Sequence, residues 1–210
     1  MTKKDRVLQV LGLLKKYYPH AHCALHHENP FELLLATVLS AQCTDERVNQ
    51  VTPLLFKKYP TPDNLAVAKQ SDIEKIIHST GFYKNKAKNL IGLAQKIVNE
   101  HAGQVPKKLE ALVDLPGVGR KTANVVLGNA FQIISGIVVD THVSRLSQRL
   151  GWTKKTDPLG IEKDLQKFIP HEDWIMISHY LIEHGRTVCK ARKPQCTHCF
   201  LVEYCPSSTE

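Results

Sequence analysis

Apolar positions recur along this chain at the three- and four-residue steps of a helix and almost nowhere at the two-residue step of a strand. Val7, Val10, Leu11, Leu14 and Tyr17 mark one face of a first helix, which Pro19 ends. Residues 31–41 are apolar on nearly every side, the pattern of a helix enclosed by others; Asn29 suits its cap, Pro30 its first turn, and Glu32 a capping box. Thr44 or Asp45 opens a helix toward Tyr59, kinked at Pro53, and Pro60 and Pro62 mark a corner. Ser71 with Glu74 forms a second capping box, opening a short helix to His78. A loop centred on Gly81 leads into a long helix over about residues 84–101, stopped at Gly103.

Residues 108–113 and 121–127 read as two helices flanking a glycine-rich turn. Residues 133–139 are apolar and β-branched but have no partner strand, so they read as a buried connector. Asp140 caps a helix over 141–150, Asp157-Pro158 opens one to Phe168, and Asp173 opens the last, to about Val188. About ten helices with short connections predict a compact all-α protein without repeats.

Composition narrows the partners. The chain has 210 residues, 42% of them hydrophobic, enough for one sizeable domain or two small ones. Its formal charge of +8 suits a polyanion. No apolar run reaches the length of a membrane span, and residues 1–5 run into an amphipathic helix without the apolar core of a secretion signal. An intracellular setting keeps thiols reduced, so six cysteines point to a metal or a reactive thiol before disulfides.

The turn Leu115-Pro116-Gly117-Val118-Gly119-Arg120-Lys121-Thr122 is the first candidate site. Glycine N–H groups can approach a ligand closely, and a helix N-terminus adds uncapped donors and partial positive charge, so the unit can hold a phosphate. It is neither a dinucleotide fingerprint, which needs glycine where Thr122 stands, nor a P-loop, which needs glycine at Arg120. Taken alone, a Gly-x-Gly of this kind is more often an ordinary helix corner.

Cys189, Cys196, Cys199 and Cys205 fall within 17 residues, in a Cys-x6-Cys-x2-Cys-x5-Cys pattern. Four thiolates on one short loop suit a tetrahedral zinc or a four-iron cluster, and ligand chemistry alone does not choose between them; His198 is a spare ligand. Lys190, Arg192 and Lys193 lie in the first gap, where they either face a phosphate backbone or offset the thiolate charge. Cys23 and Cys43 read as ordinary core or loop cysteines. His20, His22, His26 and His27 read as a solvated loop.

The hairpin, the run Val138-Val139-Asp140-Thr141-His142-Val143 and the cysteine tail occur together in this order, and the set resembles the endonuclease III family of helix-hairpin-helix DNA glycosylases. The resemblance implies two all-α lobes: a helical barrel over about 23–133, and an iron–sulfur domain joining 1–22 to 134–210. It turns the cysteine tail into the ligand set of a [4Fe-4S] cluster and makes Leu115, Gly117, Val118, Gly119 and Arg120 a DNA phosphate clamp assisted by a monovalent cation. It implies action on damaged double-stranded DNA. A monomer without membrane attachment is expected, and the compact length without an organellar or nuclear targeting extension points to the bacterial cytoplasm, with action at the nucleoid.

The implied reaction is release of oxidised pyrimidines followed by strand cleavage 3′ to the abasic site. A damaged base must be flipped out to be reached, and an amine attacking the sugar C1′ leaves an imine that permits β-elimination. By resemblance Lys121 is the nucleophile and Asp140 the essential carboxylate. On local grounds the former reads as one more phosphate contact, one or two turns into its helix, and the latter as a plain helix cap. Gln42 is implied to fill the vacated space and Phe82 to wedge the stack, at a position where the family commonly has leucine. Rival readings are an adenine glycosylase of the same superfamily, a non-catalytic DNA-binding module and a zinc protein.

Overall fold

The computed structural model describes residues 1–208. These residues form eleven α-helices and four 3-10 turns, with no strand among them. In order the helices are α1 (Lys3–Tyr17), α2 (Pro30–Leu39), α3 (Asp45–Lys58), α4 (Pro62–Ala66), α5 (Gln70–Ile77), α6 (Tyr83–Glu100), α7 (Leu109–Val113), α8 (Arg120–Phe131), α9 (Thr141–Arg149), α10 (Pro158–Gln166) and α11 (Trp174–Thr187). None is long and apolar enough to cross a membrane.

The chain divides into two compact units. The first, Cys23–Ser135, holds α2 to α8 around one apolar core. Eight of the ten residues of α2 are buried, as its all-round apolar pattern predicts; truncating one of its leucines to alanine costs about 2–5 kcal/mol. Asn29 caps α2 by accepting from the Glu32 backbone N–H, and the Glu32 carboxylate accepts from the Glu28 N–H at 2.7 Å. α8 packs on α2, and α6 packs on α2, α4 and α5.

The second unit joins Met1–His22 to the chain from Gly136 onward. Its core gathers Val10, Leu14, Leu146, Trp152, Ile177 and Leu181. α9 and α11 close on each other at Gly185, where an added Cβ would stand 2.7 Å from His142 Nδ1 and 2.9 Å from Arg145 Nη2.

Local differences from the sequence reading have local causes. The corner at Pro62 is a five-residue helix, capped by Thr61 accepting from the Asn64 N–H at 3.3 Å. α5 starts at Gln70, and no side chain caps it; the Glu74 carboxylate that a Ser71 box would use instead accepts from Gln70 Nε2 at 2.7 Å. α3 runs on through Pro53. α8 begins at Arg120 and passes Gly128 to reach Phe131, so Lys121 is its second residue and lies in the first turn, not deeper. Residues 132–139 form a connector without regular secondary structure, but it is only partly buried: Ile137 and Val139 are enclosed, while Ile133 is exposed.

Candidate DNA interface, catalytic residues and cysteine loop

In the first unit the glycine hairpin is built from its backbone. Leu115 and Val118 point inward, 2% and 6% exposed, and the Val118 N–H donates to the Leu115 carbonyl at 3.1 Å. Gly117 has φ +77°, and a Cβ there would fall 2.8–3.0 Å from the Asn89 side chain, so both conformation and space require glycine. Gly119 caps α8 with no side-chain hydrogen bond, and nothing lies within 4 Å of where its Cβ would be. The N-terminus of α8 thus has no side-chain cap and an open approach, with the exposed side chains of Arg120 and Lys121 beside it. That arrangement receives an anion and sets an amine next to it.

Two further loops of this unit carry exposed side chains on left-handed backbone. Gln42, beyond the end of α2, has φ 54°, and Phe82, at the start of α6, has φ 47°. A left-handed residue with a Cβ costs roughly 1–2 kcal/mol. Phe82 is nevertheless 65% exposed, with its ring held outside the core. Cys23 and Cys43 pack against the core of this unit as ordinary partly buried residues.

In the second unit Asp140 caps α9, its Oδ1 accepting from the Val143 N–H at 2.8 Å. α11 fixes the connector before Asp140: Ser178 Oγ donates to the Val138 carbonyl at 2.8 Å. Burial holds His179 below the ordinary imidazole range, reinforced by His22 and opposed by the Asp140 carboxylate.

The four cysteines of the tail surround one cavity of about 190 Å³. That is several times the ~30 Å³ share of one water molecule. Among the described residues no three His, Cys, Asp or Glu side chains are spaced to hold a single metal ion. Thiols standing around a volume, with Leu146, Leu150, Val188 and Leu201 completing an apolar wall, fit a cluster better than a lone zinc. His198 is exposed and is not part of the wall. Burial raises the thiols of Cys199 and Cys205 above their ordinary range.

Sequence reading missed the residues that shape this loop. Arg145 Nη2 donates to the carbonyls of Gly185 and Cys189, at 3.1 and 3.0 Å. Arg149 donates to the carbonyls of Lys190 and Ala191, at 2.8 and 3.0 Å, and lies 3.3 Å from Cys189 Sγ. Buried His184, held near pKa 4 and so neutral, has Nε2 3.5 Å from Cys199 Sγ, with Nδ1 2.8 Å from the Tyr18 hydroxyl. These partners lie 40 or more positions apart, except His184 and Cys199. The only local signal was the Arg145/Arg149 spacing of four, one helix face. Lys190, Arg192 and Lys193 are exposed on the outside of the loop.

The all-α fold with an uncapped glycine hairpin matches the family model for HhH-GPD superfamily base excision DNA repair proteins over residues 35–171. The cysteine tail matches the iron-sulfur binding domain of endonuclease III over residues 189–205. The chain is 58% identical to endonuclease III of Synechocystis sp. over 99% of its length and 94% of that protein. It is 40% identical to endonuclease III of Escherichia coli over 98% of its length and 96% of that protein. A solved structure of a trapped endonuclease III–DNA covalent intermediate, an estranged-adenine complex, superposes with a TM-score of 0.93 at 46% identity, covering 99% of this chain and 98% of that one. The chain belongs to the endonuclease III family, and the cofactor of its cysteine tail is an iron–sulfur cluster.

Proposed function

We propose that this chain excises oxidised pyrimidines from duplex DNA and cleaves the strand 3′ to the resulting abasic site, with Lys121 as nucleophile. The observation that carries the assignment is the placement of Lys121: exposed, second residue of α8, directly beyond an uncapped glycine hairpin. Leu115, Gly117, Val118, Gly119 and Arg120 form the phosphate clamp, with glycine N–H groups and the α8 N-terminus facing the backbone. A monovalent cation at the hairpin carbonyls completes it. A lysine held next to a bound phosphate is close to the sugar of the same nucleotide.

The steps follow from that position. The lesion nucleotide leaves the stack. The neutral Lys121 amine bonds to C1′ as the bond from C1′ to the base breaks, and the base departs with a proton. The sugar ring opens as the imine forms. Loss of a C2′ proton then expels the 3′ phosphate, and water releases the enzyme. Asp140, a carboxylate at a helix N-terminus, supplies negative charge for the cationic sugar and accepts protons in these transfers. Gln42 occupies the vacated space opposite the orphan base, and Phe82 stacks as the wedge.

Cys189, Cys196, Cys199 and Cys205 would hold the [4Fe-4S] form of the cluster, on a loop that Arg145 and Arg149 of α9 fasten by its carbonyls. The exposed Lys190, Arg192 and Lys193 then meet the DNA backbone. The protein acts as a monomer at DNA in the bacterial cytoplasm. The test is a thymine glycol duplex: wild type releases the base and nicks the strand, whereas Lys121→Gln binds the duplex and does not nick it. Nicking by Lys121→Gln at the wild-type rate would overturn the assignment.

A further inference from the structure

We infer that Lys86 is a positioning residue that holds the Gln42 and Phe82 loops in one fixed register, ready to enter the duplex together. The inference rests on the reading of those two side chains given above. Lys86 lies in the first turns of α6 and is only 4% exposed. Its Nζ donates to the Leu39 carbonyl at 2.8 Å and to the Thr80 carbonyl at 2.8 Å. Leu39 is the last residue of α2, and Thr80 is the last residue of the 3-10 turn His78–Thr80. Each carbonyl belongs to a helix end whose acceptors have no partner further along the helix, and the ammonium also meets the negative end of α2.

One side chain therefore bolts two chain ends together. Three residues beyond Leu39 stands Gln42, and two beyond Thr80 stands Phe82, both on left-handed backbone without glycine. Such conformations persist only where the surroundings over-determine them. Burying an ammonium opposes folding, and burial does hold this amine below its ordinary range. A methionine would fill the same space without that penalty. What lysine adds is two directional bonds, one to each loop. Packing alone does not call for them; a paired insertion does.

The test compares Lys86→Met, Lys86→Gln and Phe82→Ala with the wild type. Each is measured for binding to a duplex carrying a tetrahydrofuran abasic analogue, for binding to the same duplex undamaged, and for melting temperature. Undamaged duplex engages the clamp without insertion, so the ratio of the two affinities isolates the insertion step. Lys86→Met is expected to lower that ratio roughly tenfold, the scale of losing hydrogen bonds to a charged donor, with undamaged-duplex affinity unchanged. Lys86→Gln, whose shorter amide reaches one carbonyl at most, is expected to lose part of the ratio, and it carries the test if the methionine variant fails to fold. Combined with Phe82→Ala, the Lys86 change should add little.

A folded Lys86 variant that keeps the ratio while Phe82→Ala loses it would overturn the inference. So would an equal loss on both duplexes, which marks a plain structural role. An unchanged ratio in Phe82→Ala would instead sink the wedge assignment on which the inference stands.

Discussion

Two helices of the first unit begin in the same way and end up in opposite roles. α6 and α8 each follow a glycine-bearing loop, each lack a side-chain cap, and each carry lysine within their first four residues: Lys121 in α8, exposed Lys84 and buried Lys86 in α6. At α8 the N-cap is Gly119, the space before it is open, and Lys121 faces solvent. At α6 the N-cap is Phe82, its ring stands out from the surface, and Lys86 turns inward onto two carbonyls. An uncapped helix N-terminus is thus not a function in itself. On the proposed reading, the bare-glycine end receives a phosphate and presents Lys121 as the nucleophile, whereas the aromatic end presents a wedge and turns Lys86 inward as a strut.

The comparison breaks most sharply at Lys121. Lys121→Gln should lower strand cleavage by at least ~10³-fold with duplex affinity little changed, because a glutamine amide cannot form the imine. Gel assays of nicking and binding on one abasic duplex decide it. Loss of binding in parallel with cleavage would return Lys121 to the rank of a phosphate contact.

Gly117→Ala comes next. The substitution forces a Cβ against Asn89 at positive φ, so a loss of about 1–3 kcal/mol in folding stability is expected, together with weaker binding to any duplex. Thermal and denaturant unfolding measure the first, and salt-dependent binding the second. A stable variant with intact binding would mean the hairpin reshapes freely.

Phe82→Ala sharpens the contrast from the other side. Its ring is exposed, so the melting temperature should barely move, while affinity for a lesion duplex falls by about 1–3 kcal/mol, the value of one stacked base. The smallest effect belongs to Gly119→Ala. With φ −93° and empty space at its Cβ, stability should stay within about 0.5 kcal/mol, and only the close approach of phosphate should suffer. A large stability loss there would show that Gly119 serves the fold and not the ligand.

The features legible in sequence are those fixed by neighbours along the chain. The hairpin follows from Pro116, Gly117 and Gly119; the buried α2 follows from its unbroken apolar run; the Asp140 cap follows from one carboxylate before a helix. Superfamily membership was likewise legible, because the hairpin and the cysteine spacing are local patterns. What stayed hidden depends on contacts across the fold. Lys86 meets Leu39 from 47 positions away, and nothing near either residue announces it. Arg145 and Arg149 shape the cysteine loop from 40 to 44 positions upstream. The Ser71 box failed for a local reason of another kind: two partners competed for Glu74, and Gln70 holds it.

The measurement that bears most directly on the central claim is borohydride trapping. The protein is incubated with a duplex carrying one abasic site, the mixture is reduced, and the adduct is resolved on a denaturing gel and digested for peptide mass analysis. A covalent adduct in the wild type, carried on the peptide containing Lys121 and absent from Lys121→Gln, is the predicted result. An adduct that survives Lys121→Gln, or maps to another lysine, would contradict it.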